Sequence, residues 1–243
     1  MNYIVFDLEW NQSPAGKDTA NPSLPFEIIE IGAVKLDSSF NIIDTFHRVV
    51  RPVVYKKLHF RVLEVVNIGV DELRNDGDSF EHVCNDFLDW CYEFDENGVA
   101  QSKVIFCTWG EMDLTQLQKN MRYFNVPNPF PYPLLYYDVQ KLYSLVYLGQ
   151  KKTVEPLDQA VEEMGIEQSD DFHRALVDAR YTALVMQRMN IDNVREYMSL
   201  DYFRIPQRII EREPVSEVEI SLNENIAFTL NDVKLLLVDD NKM

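Results

Sequence analysis

The chain has 243 residues, of which 40 are Asp or Glu and 23 Lys or Arg, giving a formal charge of -17; 46% are hydrophobic and 12% aromatic. That apolar content excludes global disorder, and the length fits one α/β domain with an appended tail better than two large domains. The acidic balance excludes a protein that binds a phosphate backbone over its general surface, so nucleic-acid binding would need local positive charge or bound metal.

Three β-rich segments open the chain: Tyr3 to Glu9, Glu27 to Leu36 and Ile42 to Val50. The short link "DSSFN" between the second and third predicts an antiparallel hairpin, while "NQSPAGKDTANPSLP" between the first two is a Pro, Gly and Asn-rich loop. Apolar residues from Phe80 recur at helical spacing to about Glu93, with Ser79 before them. "KVIFCTW" then reads as a strand, Met112 to Phe124 as a helix, "LLYYDV" as a buried strand and the segment through Leu145 as another helix. Helices over Val154 to Met164, with Pro156 in the first turn, and over His173 to Met189 complete a mixed sheet flanked by helices. Beyond about residue 190 the chain reads as an extension, with a strand over "VEISL" and a strand or short helix over "VKLLLV" that pack back on the core.

No run of about 18 apolar residues occurs, and the amino terminus enters a strand, so the expectation is a cytoplasmic protein without a membrane segment. Cys84, Cys91 and Cys107 lack Cys-x-x-Cys spacing and sit in apolar or aromatic surroundings, as buried, reduced thiols do.

Chemistry enters with "IVFDLEW", where Asp7 and Glu9 lie two apart in an apolar strand and so project to the same face. A metal site and a pair of solvent-facing acids at a strand end both fit this pattern. Asp113 in "WGEMDLTQL" opens a helix, where acids also serve as caps. In "FHRALVDAR" His173 and Asp178 are five apart, about 500° around a helix, so His173 must stand at the helix start or before it if both enter one site. Together, four carboxylates and a histidine meet the needs of phosphodiester hydrolysis, in which hard divalent ions take oxygen ligands and a histidine acts as base.

At these residues the sequence resembles the DnaQ-like DEDDh 3'-5' exonucleases, over roughly residues 1 to 190: "FDLEW" carries the first motif, "CTWGEMDLTQL" the second and "HRALVDA" the third. The histidine with four residues before Asp178 resembles the histidine branch, and "EIIEIGAV" and "YYDVQKLY" look like the family's second and fifth strands. The opening "YIVFDLEWNQ" further resembles a KapD-like subgroup, described as sporulation-inhibitor exonucleases of Gram-positive bacteria. The resemblance implies an RNase H-like mixed five-stranded sheet flanked by helices, with a C-terminal extension over 191 to 243 that packs on the core or contacts a partner. It implies two divalent ions, Mg²⁺ or Mn²⁺, on Asp7, Glu9, Asp113 and Asp178, with His173 as general base. The expected substrate is the 3' end of single-stranded RNA or DNA, released as nucleoside monophosphates.

The resemblance also implies that Leu8 touches the terminal nucleotide through its backbone, and Trp10 could stack on a base or belong to the core or a lid. Trp10 stands where many relatives carry a small or hydroxyl residue, and "LEVVNIGVDEL" only loosely resembles the family's Thr-Gly-Ile neighbourhood at Asn67 and Ile68. The run from His47 to Arg61 holds Arg48, Arg51, Lys56, Lys57 and Arg61 and no acid, which suits a backbone contact as well as a solvated surface; Lys151 and Lys152 are a weaker pair. Two other readings keep the fold but change the role. One is a regulatory or scaffolding module with little activity, which has no need for all five site residues. The other is proofreading beside a polymerase.

Overall fold

Alternate residues of strand β1 (Asn2–Gln12) serve two different cores, and this sets the architecture. Ile4, Phe6 and Leu8 belong to a cluster with helices α3 (Phe80–Tyr92) and α4 (Met112–Tyr123). Tyr3 and Val5 point the other way, into a cluster with α5 (Val139–Val146), α6 (Leu157–Glu163) and α7 (Ala175–Arg188), as the two-residue period of a strand requires. The structure, a computed structural model, describes residues 1–16, 19–66, 68–131, 134–147, 155–170, 172–189 and 199–201.

β1 is central in the sheet. It pairs antiparallel with β2 (Phe26–Leu36), which pairs antiparallel with β3 (Ile42–Val49), and on its other side it runs parallel to β4 (Val104–Thr108), itself parallel to β5 (Leu134–Asp138). These are the five strands and the mixed sheet that the sequence implies. A sixth, the three-residue β6 (Ser199–Asp201), pairs antiparallel with β5 to complete the order β3-β2-β1-β4-β5-β6. Within the C-terminal extension, the chain thus returns to the sheet edge at this point; "VEISL" and "VKLLLV" lie outside the described residues.

The helices follow their local signals. Ser79 caps α3 by accepting from the His82 N–H at 3.2 Å, and Phe80, Val83, Cys84, Phe87, Leu88 and Cys91 form its buried face, each large side chain worth about 1.5–3 kcal/mol on burial. All three cysteines are free and buried, and burial pushes the Cys84 thiol up to about 12. α6 begins at Leu157 with Pro156 as its cap, later than the Val154 start expected, because the restricted residue before a proline resists helical geometry. α7 begins at Ala175, two residues after His173.

Two elements have no counterpart in the sequence reading: α1 (Phe60–Val65) and α2 (Val70–Asn75), each six residues long. A helix of under two turns offers too little apolar recurrence to register as a period. Together with Ile29, Val49, Val62, Val66, Ile68 and Leu73 they form a third, smaller cluster beside β2 and β3.

Candidate active site

Asp7 and Glu9 lie on the same face of β1 as Tyr3 and Val5, the face covered by α7. The approach of α7 is made possible by Gly32, which pairs with Asp7 across β1 and β2. A Cβ on Gly32 would stand 2.0 Å from the Leu176 nitrogen and 2.2 Å from the Ala175 carbonyl carbon, so only glycine lets the first turn of α7 rest on the sheet beside Asp7. Asp178, one turn along, is thereby brought to the strand acids. The pairing of β1 with β2 shifts register between Glu9 and Trp10, an irregularity of the kind that re-aims side chains at sites.

His173 precedes the helix in a left-handed conformation, φ 71°, as the five-residue spacing requires. Its backbone N–H donates to Asp178 Oδ2 at 3.2 Å and Oδ1 at 3.4 Å, so the acid secures the turn that presents the imidazole. A ring nitrogen of His173 and carboxylate oxygens of Glu9 and Asp178 all lie within 4.8 Å of one another. Asp113 enters from the start of α4. Its carboxylate accepts the Leu8 N–H of β1 at 3.1 Å and also its own backbone N–H in the first turn of the helix.

The electrostatics are those of like charges brought together out of water. Burial, then Asp113, Asp178, Glu9 and Glu30 in that order, hold the Asp7 carboxyl well above the usual range. Glu9 is pushed up to about 8, by burial first and then by Asp178, Glu30 and Asp113, with Arg174 opposing. Asp113 rises to about 7 by burial, opposed by the Leu8 hydrogen bond, and Asp178 to about 7 by burial, opposed by the His173 N–H. Arg174 is held by two other acids, at 2.9 Å from each of Glu30 and Glu72. Four oxygen donors in want of positive charge fit a hard divalent cation.

Glu30 is the residue that sequence reasoning passed over. Wholly buried on β2, it accepts from Arg174 Nε at 2.9 Å, from the Ala175 N–H at 3.1 Å and lies 2.5 Å from His47 Nε2. Burial alone would raise its carboxyl, but the hydrogen bonds from His47 and Ala175 and the charge of Arg174 outweigh it and hold the group below its ordinary value. Glu30 thus clamps residues 174 and 175, directly after His173. A glutamate inside the apolar run "EIIEIGAV" was the available signal, since a buried charge requires partners.

The remaining candidates are dispersed. Leu8 has a buried side chain, and its N–H is taken by Asp113. Trp10 is partly buried, packs on the first core and lies 6.0 Å from the Phe26 ring. Arg48 belongs to the opposite face of the sheet, over the Phe46 ring, with Nη1 donating to the His47 carbonyl, and is not brought to the acids. Arg51 donates to the Gly77 carbonyl at 2.6 Å. Lys56, Lys57 and Arg61 are exposed on or beside a loop that is firmly tied to β1 and β2. Asn11, two residues beyond Glu9, donates to the Tyr55 and Lys57 carbonyls at 2.8 and 3.1 Å and accepts from the His59 N–H at 3.0 Å. Buried Glu27 accepts from the N–H groups of Val53, Val54 and Tyr55 at 2.6 to 2.8 Å. Asn67, Lys151 and Lys152 lie outside the described residues.

The model of the RNase T exonuclease family matches residues 4–186, which includes every one of the four acids and His173. The chain belongs to this exonuclease family. It is 32% identical over 177 residues to the probable 3'-5' exonuclease KapD of Bacillus subtilis (strain 168), covering 72% of this chain and 78% of that one. It is 26% identical to ERI1 exoribonuclease 2 of Xenopus laevis over 89% of this chain, which spans 34% of that longer relative. In fold it resembles the nuclease domain of 3'hExo, a DEDDh family member bound to rAMP, with a TM-score of 0.66, 22% identity and coverage of 82% of this chain and 96% of that one. The protein is a metal-dependent exonuclease with an RNase H-like fold. Among the described residues no helix is long and apolar enough to cross a membrane.

Proposed function

We propose that the protein removes nucleoside monophosphates from the 3' end of single-stranded RNA or DNA, using two divalent ions, Mg²⁺ or Mn²⁺, held by Asp7, Glu9, Asp113 and Asp178. The observation that carries this reading is the convergence of four carboxylates, three of them held near 7 or 8 and Asp7 well above its usual value, on one face of β1. The ions, when bound, supply Lewis-acid charge at the scissile phosphate and invert the local field, so that an acidic cluster receives an anion. His173, whose ring nitrogen stands beside Glu9 and Asp178, takes the proton of the attacking water. Asp178 orients it through the His173 N–H, and Glu30 holds the following two residues in place.

Residues 1–190 form the exonuclease domain in this reading, and 191–243 an extension that packs on the core or contacts a protein partner, in a cytoplasmic enzyme. The 3' polarity is supported by the relative from Bacillus subtilis, a probable 3'-5' exonuclease. Substitution tests the roles directly. Asp7→Ala should abolish both hydrolysis of a single-stranded oligonucleotide and calorimetric Mg²⁺ binding, whereas His173→Ala should lose most turnover and keep metal binding. Full activity in either variant would refute the assigned roles.

A further inference from the structure

Apart from the carboxylate cluster, the described surface carries a cavity of about 380 Å³ between the loop after β3 and helix α2. Its lining includes three cations, Arg51, Lys56 and Arg74, no acid, and apolar side chains that include Leu58, Val70 and Leu73. In a chain of charge -17 this is a local inversion of sign. Arg74 has one acidic neighbour, Asp71 at 3.8 Å, but both are largely exposed and the pair is weak.

Two links tie the cavity to the elements that carry the site, one to the start of α7 and one to β1. On α2, Glu72 reaches Arg174, next to His173, while Val70, Leu73 and Arg74 line the cavity. On the loop, the Tyr55 and Lys57 carbonyls that flank Lys56 are held by Asn11, two residues past Glu9. The loop is also fixed by Glu27, so its cations are presented on a rigid backbone and not on a mobile one. Cations and an apolar wall together match the chemistry of a nucleotide, whose phosphate takes the charges and whose base takes the apolar surface.

We propose that this cavity binds one nucleotide of the substrate strand upstream of the two that flank the scissile bond, phosphate on Arg51, Lys56 and Arg74 and base against Leu58, Val70 and Leu73. The inference rests on the exonuclease reading and deepens it: the enzyme senses strand length through a site outside the carboxylate cluster. A cluster of acids alone cannot hold a polyanion at a distance from its ions, and the cavity provides that grip.

The test uses the full chain and the exposed-residue double variant Lys56→Glu/Arg74→Glu. Hydrolysis is measured on a dinucleotide and on a single-stranded 12-mer, and binding of a labelled 12-mer is followed by anisotropy in EDTA. The expected result is a KM for the 12-mer raised about 10-fold with kcat and dinucleotide kinetics unchanged, and a salt slope of binding lowered by about 1, as removal of one or two single-strand phosphate contacts requires. A milder variant, Val70→Ser, should raise the same KM by a smaller factor while leaving the salt slope unchanged. Unaltered KM and anisotropy in the double variant would overturn the site while leaving the exonuclease intact. Weakened binding of AMP alone, with the 12-mer unaffected, would overturn the strand assignment in favour of a free nucleotide. If the wild type hydrolyses neither substrate, the exonuclease reading fails, and anisotropy in EDTA still decides whether the cavity holds a strand.

Discussion

Asp178→Asn should make the metal-free protein more stable while abolishing its activity. The Asp178 carboxyl is held at about 7 against a usual 3.8, chiefly by burial, with Glu30 and Asp158 adding repulsion. The folded state therefore keeps this proton where the unfolded chain has lost it. Between about pH 4 and pH 7 the penalty grows as pH rises, and above pH 7 it is complete; below pH 4 it vanishes. A shift of this size corresponds to roughly 4 kcal/mol at full ionisation, and allowance for partial exposure leaves about 2 kcal/mol. Asparagine has no charge to desolvate and still offers an oxygen to the His173 N–H. For a chain of this length 2 kcal/mol moves a melting temperature by about 4–8 °C. Thermal unfolding in EDTA should thus show the variant above the wild type by that margin at pH 8 and level with it at pH 4. Excess Mg²⁺ should reverse the order, because the ion binds the ionised wild-type site and stabilises it by mass action. A variant no more stable than wild type at pH 8, or one whose advantage persists undiminished at pH 4, would refute the electrostatic reasoning.

Gly32→Ala should lower stability by about 3 kcal/mol in urea unfolding and reduce turnover steeply, since its Cβ would meet α7 backbone at 2.0 Å and displace Asp178 from the strand acids. Glu30→Gln weakens the clamp on Arg174 and Ala175; a loss of about 2 kcal/mol and a fall in kcat with little change in KM are expected. Gln116, fully buried on α4, has both side-chain amide atoms without a hydrogen-bond partner among the described residues, so Gln116→Met should raise stability by about 1 kcal/mol with unchanged kinetics. Equal or lower stability of that variant would mean that the amide is satisfied after all.

That Asp7 and Glu9 share a face was legible because residues two apart in a strand must do so; their burial was not, since solvent-facing acids at a strand end fit the same spacing. His173 was legible by exclusion: a residue five before Asp178 could join it only from outside the helix, and its left-handed φ of 71° places it there. Asp113 stayed ambiguous because a cap and a site acid share the same address at a helix start; the hydrogen bond from Leu8, which turns its carboxylate toward β1, has no counterpart in local spacing. The Glu30 clamp was not legible. Its partners His47 and Arg174 come from a neighbouring strand and from the loop before α7, so no local spacing encodes the contact. The tolerance of Gly32 for α7 is likewise a packing fact, visible only once β2 and the helix are both in place. The basic run was read correctly as acid-free, but spacing did not reveal that Arg48 turns to the opposite face while Arg51 and Lys56 line a cavity.

Digestion of matched 3'-labelled and 5'-labelled single-stranded RNA and DNA oligonucleotides tests most directly whether this carboxylate site is a 3'-5' exonuclease. With Mg²⁺ or Mn²⁺ the 5'-labelled strands should shorten stepwise and the 3'-labelled strands should release the label at once as a mononucleotide, with no cleavage in EDTA or by Asp178→Asn. Shortening from the 5' end, internal cutting, or cleavage that survives EDTA and the substitution would contradict it.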